Sequence, residues 1–284
     1  MSRAAWLNTA LAAAVIALGA FFYLRPAPEA GIEYPLSALK PQDALSLRVE
    51  RAGAVAVVLE KKQDAWFVTS PFTARADDSR VQQLLAIVQA RSAHRLPVDD
   101  RARFGLEPSQ ARVIVDGHAF SFGLVNEITR EQYVMSGDAV YPVHPRYGMA
   151  LPATAADAVS RQLLSPQEVP VRIEGRHFNV AQQEGKWVLT PGAGDLSQDD
   201  LIRWVDEWRL ASALRVEPRV ATGKREEIRI QLKSGATITL GVVARAPELV
   251  LARSDEKLQY HFRAELAKRL LSPPAARDEP AGKK

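Results

Sequence analysis

The chain has 284 residues, of which 47% are apolar and 25% charged, with a formal charge of +4 and a pI near 9.4. That is the composition of a globular protein with room for an anchor and one or two domains, and it excludes a disordered or polytopic chain. There is no cysteine, which excludes disulfides, thiolate nucleophiles, thiol-ligated metals and a lipid-modified N-terminal Cys, and the basic residues are scattered singly, without the clustered footprint of a nucleic-acid binder.

Residues 4–24, AAWLNTALAAAVIALGAFFYL, carry no charge. At about 1.5 Å per residue such a run covers the ~30 Å hydrocarbon core, so it reads as a transmembrane helix, with Trp6 and Phe21-Phe22-Tyr23 as interfacial aromatics. A cleavable signal peptide is the competing reading, but its apolar region is normally shorter, and here the best cut, after Ala30, has Pro28 close before the bond. The positive-inside comparison sets Arg3 and the terminal amine against Arg25 and Lys40 and does not choose a side. The short tail before the span and the large body after it point to a body outside the cytoplasm.

Beyond the anchor and linker (1–30), a first α+β unit is expected over 31–166. Leu45, Leu47 and Val49 alternate with polar residues as in a half-buried strand. Val55, Val57 and Leu59 follow after a turn at Ala52-Gly53, then Trp66 and Val68 after Gln63-Asp64, completing a three-stranded meander that Pro71 stops. Asp77-Asp78-Ser79 supply capping oxygens for a helix over 79–92, whose Val81, Leu84, Leu85 and Val88 share one face. Two hairpins come next. Val113 and Val115 lead through Asp116-Gly117 to Phe120, Phe122 and Leu124, and Tyr133 and Met135 lead through Ser136-Gly137-Asp138 to Tyr141 and Val143. A short helix is expected near Asp157–Leu164.

The second unit, 167–273, follows the same order. Val171 and Ile173, Phe178 and Val180, then Trp187 and Leu189 form a meander with turns at Glu174-Gly175 and Glu184-Gly185. Ser197-Gln198-Asp199-Asp200 opens a helix over 199–212 carrying Leu201, Trp204, Val205 and Trp208. Ile228, Ile230 and Leu232 turn at Ser234-Gly235 into Ile238, Leu240 and Val242. The strands of Leu249 and Leu251, then of Leu258, Tyr260 and Phe262, precede a closing helix with Leu266 and Leu270. Residues 274–284 read as a disordered tail.

The two units share landmarks: Trp66 to Pro71 with Trp187 to Pro191, Ser92-Ala93 with Ser212-Ala213, and Leu163-Leu164-Ser165-Pro166 with Leu270-Leu271-Ser272-Pro273. The expected fold is therefore α+β: two tandem related modules, each an antiparallel β meander packed on one main helix, behind an N-terminal transmembrane helix.

Trp66 to Pro71, Asp77-Asp78, Phe104-Gly105-Leu106-Glu107-Pro108, Gly123 and Val140-Tyr141 together resemble the bacterial family known as domain of unknown function 4340. The resemblance covers about residues 44–165, and the second unit keeps the Trp strand, the helix and Gly241 but lacks the Gly-Leu turn. It implies a membrane-anchored envelope protein, of a kind that looks like an accessory part beside ABC-type transport systems. No catalytic residue carries over from it.

Nothing in the sequence marks a catalytic, cofactor or metal site. His94, His118, His144, His177 and His261 lack metal-ligand spacing, with His261 expected on the outer face of a strand. The acidic pairs Asp77-Asp78 and Asp199-Asp200 are better read as helix starts than as catalytic carboxylates. Gly192-Ala193-Gly194-Asp195 lacks the Lys and longer glycine pattern of a phosphate loop. Ser254-Asp255-Glu256-Lys257 has SxxK spacing but sits in a polar turn, where a helix-borne nucleophile would be wanted. Trp204 and Trp208 read as core.

The expected function is that of a non-enzymatic, inner-membrane-anchored periplasmic binding or scaffold protein without a cofactor, whose partners are the membrane, through its N-terminal helix, and an envelope protein, with transporter subunits as one option and nucleic acid excluded. The alternatives are a small-molecule or glycan sensor binding between the lobes and an envelope hydrolase with an unrecognised site.

Overall fold

The computed structural model describes residues 3–24, 32–191, 197–219 and 226–274. The expected loop at 192–195 and nearly all of the expected tail lie outside the described residues.

Helix α1 (Arg3–Leu24) comes first. Trp6, Leu11, Val15, Ile16 and Leu18 on it are all exposed. Among the described residues no helix is long and apolar enough to cross a membrane, and the side chains at several α1 positions lie outside that set. What the fold states of this segment is its helicity.

In chain order the body then forms β1 (Tyr34–Pro35), β2 (Ser46–Arg51), β3 (Val57–Lys62), β4 (Ala65–Ser70), β5 (Ala74–Arg75), α2 (Asp78–Leu85), β6 (Arg91–Ser92), β7 (Leu96–Pro97), β8 (Ala111–Val115), β9 (His118–Val125), β10 (Gln132–Ser136), β11 (Ala139–Val143) and the single-turn α3 (Arg146–Met149). After it come β12 (Pro170–Glu174), β13 (Asn179–Gln183), β14 (Lys186–Thr190), α4 (Gln198–Arg209), β15 (Arg215–Pro218), β16 (Glu226–Leu232), β17 (Thr237–Ala244), β18 (Glu248–Arg253), β19 (Leu258–Arg263) and α5 (Ala264–Leu271). The architecture is mixed α+β, with few helices and antiparallel sheets. The first large sheet runs β5-β4-β3-β2-β8-β9-β10-β11-β7 and the second β14-β13-β12-β16-β17-β18-β19-β15, while β1 and β6 pair separately. From β4 to β11 and from β14 to β19 the two sheets take the same order of strands, each closed at its far edge by a strand that follows the main helix.

The expected patterns account for most of this. Leu47, Val49, Val57, Leu59, Trp66 and Val68 are buried along the first meander, and Val81, Leu84, Leu85 and Val88 along the helix beneath it. Asp116 and Gly117, with φ of 47° and 85°, turn β8 into β9, which is the paired left-handed geometry a tight hairpin requires. One continuous hydrophobic core runs from Leu36 to Leu270, and a satellite cluster of Phe104, Leu106 and Val140 lies apart from it. Gly105 and Gly123 make that satellite possible: a Cβ on Gly123 would stand 2.1 Å from the Phe104 carbonyl oxygen, and one on Gly105 2.3 Å from Leu124 Cγ.

Several expectations are corrected. Leu45 and Val55 are exposed, because each lies ahead of the ladder its run enters. The helix expected over 79–92 is α-helical only to Leu85 and tightens into a 3-10 turn over Ala86–Gln89. In place of a helix at 157–164 there is a 3-10 turn, Ala155–Ala158, followed by extended chain whose backbone groups are taken by neighbours on both sides. On one side Asp77 N donates to Ala158 O and Ser160 N to Arg75 O; on the other Leu163 N donates to Ala211 O and Ala213 N to Arg161 O. This segment joins the edge strand β5 of the first sheet to the run-in of β15 in the second. The two sheets are thus stitched by main-chain hydrogen bonds.

Candidate functional site

Above that seam lies a cleft of about 660 Å³, with Phe72, Thr73 and Arg75 on the first-sheet side and Pro218, Arg219 and the Asp255–Leu258 turn on the other. The volume falls in the range of small-ligand pockets, roughly 300–1,000 Å³.

Arg75, Asp255 and Glu256 in the lining belong to a network of ion pairs, in which Arg75–Glu256 joins the two sheets. Arg253 ends β18 on the same face as Leu249 and Leu251, so period two carries a guanidinium into the core, where it is 2% exposed. It donates from Nη1 to the Leu163 carbonyl at 2.6 Å and to Glu168 Oε2 at 3.0 Å, from Nη2 to Glu168 Oε1, and from Nε to Asp255 Oδ1 at 3.1 Å. Glu168 also accepts from Ser165 N at 2.6 Å. Arg75, from β5, donates through Nε to Glu256 at 2.5 Å and through Nη2 to Gln162 O at 2.8 Å and Tyr260 Oη at 3.2 Å. The Tyr260 hydroxyl donates to Glu256.

Glu168, Asp255 and Tyr260 are each held in the charge state their partners need. Burial opposes ionisation of Glu168, but the Arg253 hydrogen bond and the Ser165 N–H outweigh it and hold the carboxyl below its usual range. Asp255 is depressed in the same way, against burial, by Arg253. Burial, helped by the Glu256 charge, pushes the Tyr260 phenol up, so it remains a neutral donor. These groups serve one another. A buried pair of this kind fixes geometry more than it adds net stability, because desolvation offsets much of the attraction, and loss of one partner strands the other.

The residues singled out in the sequence distribute as follows. Asp77 is the N-cap of α2, accepting from Ser79 N at 2.9 Å and Arg80 N at 3.2 Å. Asp199 and Asp200 sit in the first turn of α4, whose cap is Ser197. Ser254 to Lys257 form the turn between β18 and β19, and three of the four line the cleft. Trp204 and Trp208 are buried and meet edge to face, with ring centroids 6.1 Å apart. His261 lies on the face of β19 opposite Tyr260 and Phe262, as alternation places it, but it is 8% exposed, because the Glu248 and Arg215 side chains of the neighbouring strands flank the ring at 3.1 Å and 3.0 Å from Nδ1. His118 bonds the Ser136 hydroxyl at 2.8 Å, and among the described residues no group of three or more His, Asp or Glu is placed to hold a metal.

Sequence reasoning missed the cluster of Arg75, Glu168, Arg253, Glu256 and Tyr260. One sign of it was present, since alternation with Leu249 and Leu251 places Arg253 inward. Glu256 and Tyr260 are near Arg253 in the chain, but Glu168 is 85 residues away and Arg75 is 185 residues from Tyr260, and no spacing rule reaches those two.

The family model for domain of unknown function DUF4340 matches residues 66–227, more than half of the chain. The chain belongs to this family. The match opens at Trp66 and runs beyond the Gly-Leu turn, the seam and α4, so it covers part of each sheet and coincides with neither expected unit. No curated protein and no solved structure matches the chain.

Proposed function

We propose that this DUF4340 member is a non-enzymatic envelope protein, held to the inner membrane by α1, whose body is a periplasmic binding or scaffold platform made of two related modules. The observation that carries the anchor is the exposure of Trp6, Leu11, Val15, Ile16 and Leu18 on one helix, a surface that water disfavours on every side and lipid accepts. The common strand order of the two sheets supports the related modules. The mutual use of the ionisable groups at the seam supports a holding role over a chemical one. An accessory place beside an ABC-type transporter is what the family resemblance adds.

Fusions of alkaline phosphatase and a fluorescent protein at the C-terminus test the topology. The expected outcome is an active phosphatase, a dark fluorescent protein and a mature chain that keeps its first residues. A fluorescent fusion or a chain beginning after residue 24 overturns it. Purified full-length protein is expected to show no hydrolase, transferase or nucleotidase turnover; turnover lost on changing one polar cleft residue, with the fold intact, would move the hydrolase reading to first place. The second reading, a small ligand held between the sheets, is favoured by the 660 Å³ cleft at the seam.

A further inference from the structure

We propose that the cleft at the seam binds a small organic anion with an apolar body. The assignment rests on the second reading above and names what the cleft would take. Two properties of the lining carry it. Phe67, Phe72, Pro218 and Leu258 give the cleft an apolar side on both walls. The charges do not balance once their partners are counted. Of the two carboxylates in the lining, Glu256 is paired with Arg75, and Asp255 shares Arg253 with Glu168, which lies outside the lining. Of the cations, Arg75 is spent on Glu256, while Arg219 donates only to the Ser254 hydroxyl, at 3.2 Å, and Lys257 makes no ion pair among the described residues. Arg75 and Arg253 together fall one charge short of Glu168, Asp255 and Glu256, so Arg219 and Lys257 leave the lining and its partners with a net positive charge beside a partly apolar cavity.

The backbone holds the two residues side by side. Arg219 N donates to the Lys257 carbonyl at 2.8 Å, tying the end of β15 to the β18–β19 turn, and Lys257 itself is in the left-handed region, with φ of 56°. A carboxylate or other monoanion between the guanidinium and the ammonium gains charge-assisted hydrogen bonds, and its apolar part replaces water against Phe72 and Leu258. A neutral ligand gains only the second term, and a cation meets repulsion.

Benzoylbenzoate, a photoactivatable aromatic carboxylate, tests this on the full-length protein in detergent, with adducts mapped by peptide mass spectrometry. Saturable labelling of the peptides that hold Phe67–Arg75 and Asp255–Leu258 is expected, with competition by naphthoate. Neutral benzophenone should label these peptides about tenfold less, the scale of one charge-assisted contact. The double variant Arg219→Gln/Lys257→Gln, at exposed positions, should lose about tenfold in labelling while its thermal melting stays put. Raising the salt should weaken labelling of the unaltered protein, which reads the charge term without any substitution. Equal labelling by benzophenone, an unchanged double variant, or insensitivity to salt overturns the anion site. None of these outcomes touches the topology fusions, so the site and the anchored-platform reading fail separately.

Discussion

The strands β4 and β14 carry the same Trp-to-Pro pattern at matching places in the two sheets, yet their outer edges are finished differently. Beside β4 the chain folds back as β5, which pairs Phe67 with Arg75 and leaves Trp66 buried. Beside β14 the first residue of α4 supplies a side chain instead: Trp187 N donates to Gln198 Oε1 at 2.9 Å and Gln198 Nε2 returns to Trp187 O at 2.7 Å. The amide imitates one rung of a strand, satisfying the edge without a full partner, and Trp187 is left half-buried. The difference teaches that alternation fixes which strands form, while the edges depend on what the chain does next. Only the first edge was extended toward the other sheet, and the seam and its cleft were built there.

The sharpest way to break that comparison is at the two tryptophans. Trp66→Ala should cost about 3–5 kcal/mol, as for other buried aromatics, whereas Trp187→Ala should cost roughly half as much. Urea unfolding of both variants measures the gap, and equal losses would show that the second edge is as closely packed as the first.

The seam comes next in size. Glu168→Gln should cost about 2–3 kcal/mol, because it removes charged hydrogen bonds from the buried Arg253. The sign with pH follows from the depressed carboxyls of Glu168 and Asp255. Their contribution is fully present above the ordinary carboxyl range, about pH 4 to 4.5, and is lost as pH falls through their lower folded values. Melting followed from neutral to acid pH should therefore show a steep acid limb that Glu168→Gln flattens.

Gly123→Ala should cost about 1–3 kcal/mol, since its Cβ would enter the Phe104 carbonyl oxygen and push the satellite cluster away from β9. The cost should appear in denaturant melts, and crystal structures of the variant should show the shift confined to residues 102–108. The smallest effect separates the two helix starts. Asp77 accepts from two backbone N–H groups and Ser197 from one, so Asp77→Ala should cost about 1 kcal/mol and Ser197→Ala less.

The sequence determined the strands that alternate, the tight hairpin at Asp116-Gly117, the faces of α2 and α4 and their caps, because each follows from periodicity or turn chemistry within a few residues. It also carried enough of the Gly-Leu turn to place the chain in its family. The short pieces were hidden in it. Strands β1, β5, β6 and β7 have two residues each, too few to show a period, and exist because a neighbour offers a ladder. The residues after Ala158 read as a helix and became extended chain, because backbone partners waited on both sides. Tertiary structure alone decided that Arg253 would find Glu168, that Arg75 would reach Glu256 and Tyr260, and that a cleft would open over their contact. Burying a guanidinium is tolerable only where carboxylates meet it; Asp255 is two residues from Arg253, but Glu168 arrives from 85 residues away, and that meeting is a property of the packed sheets.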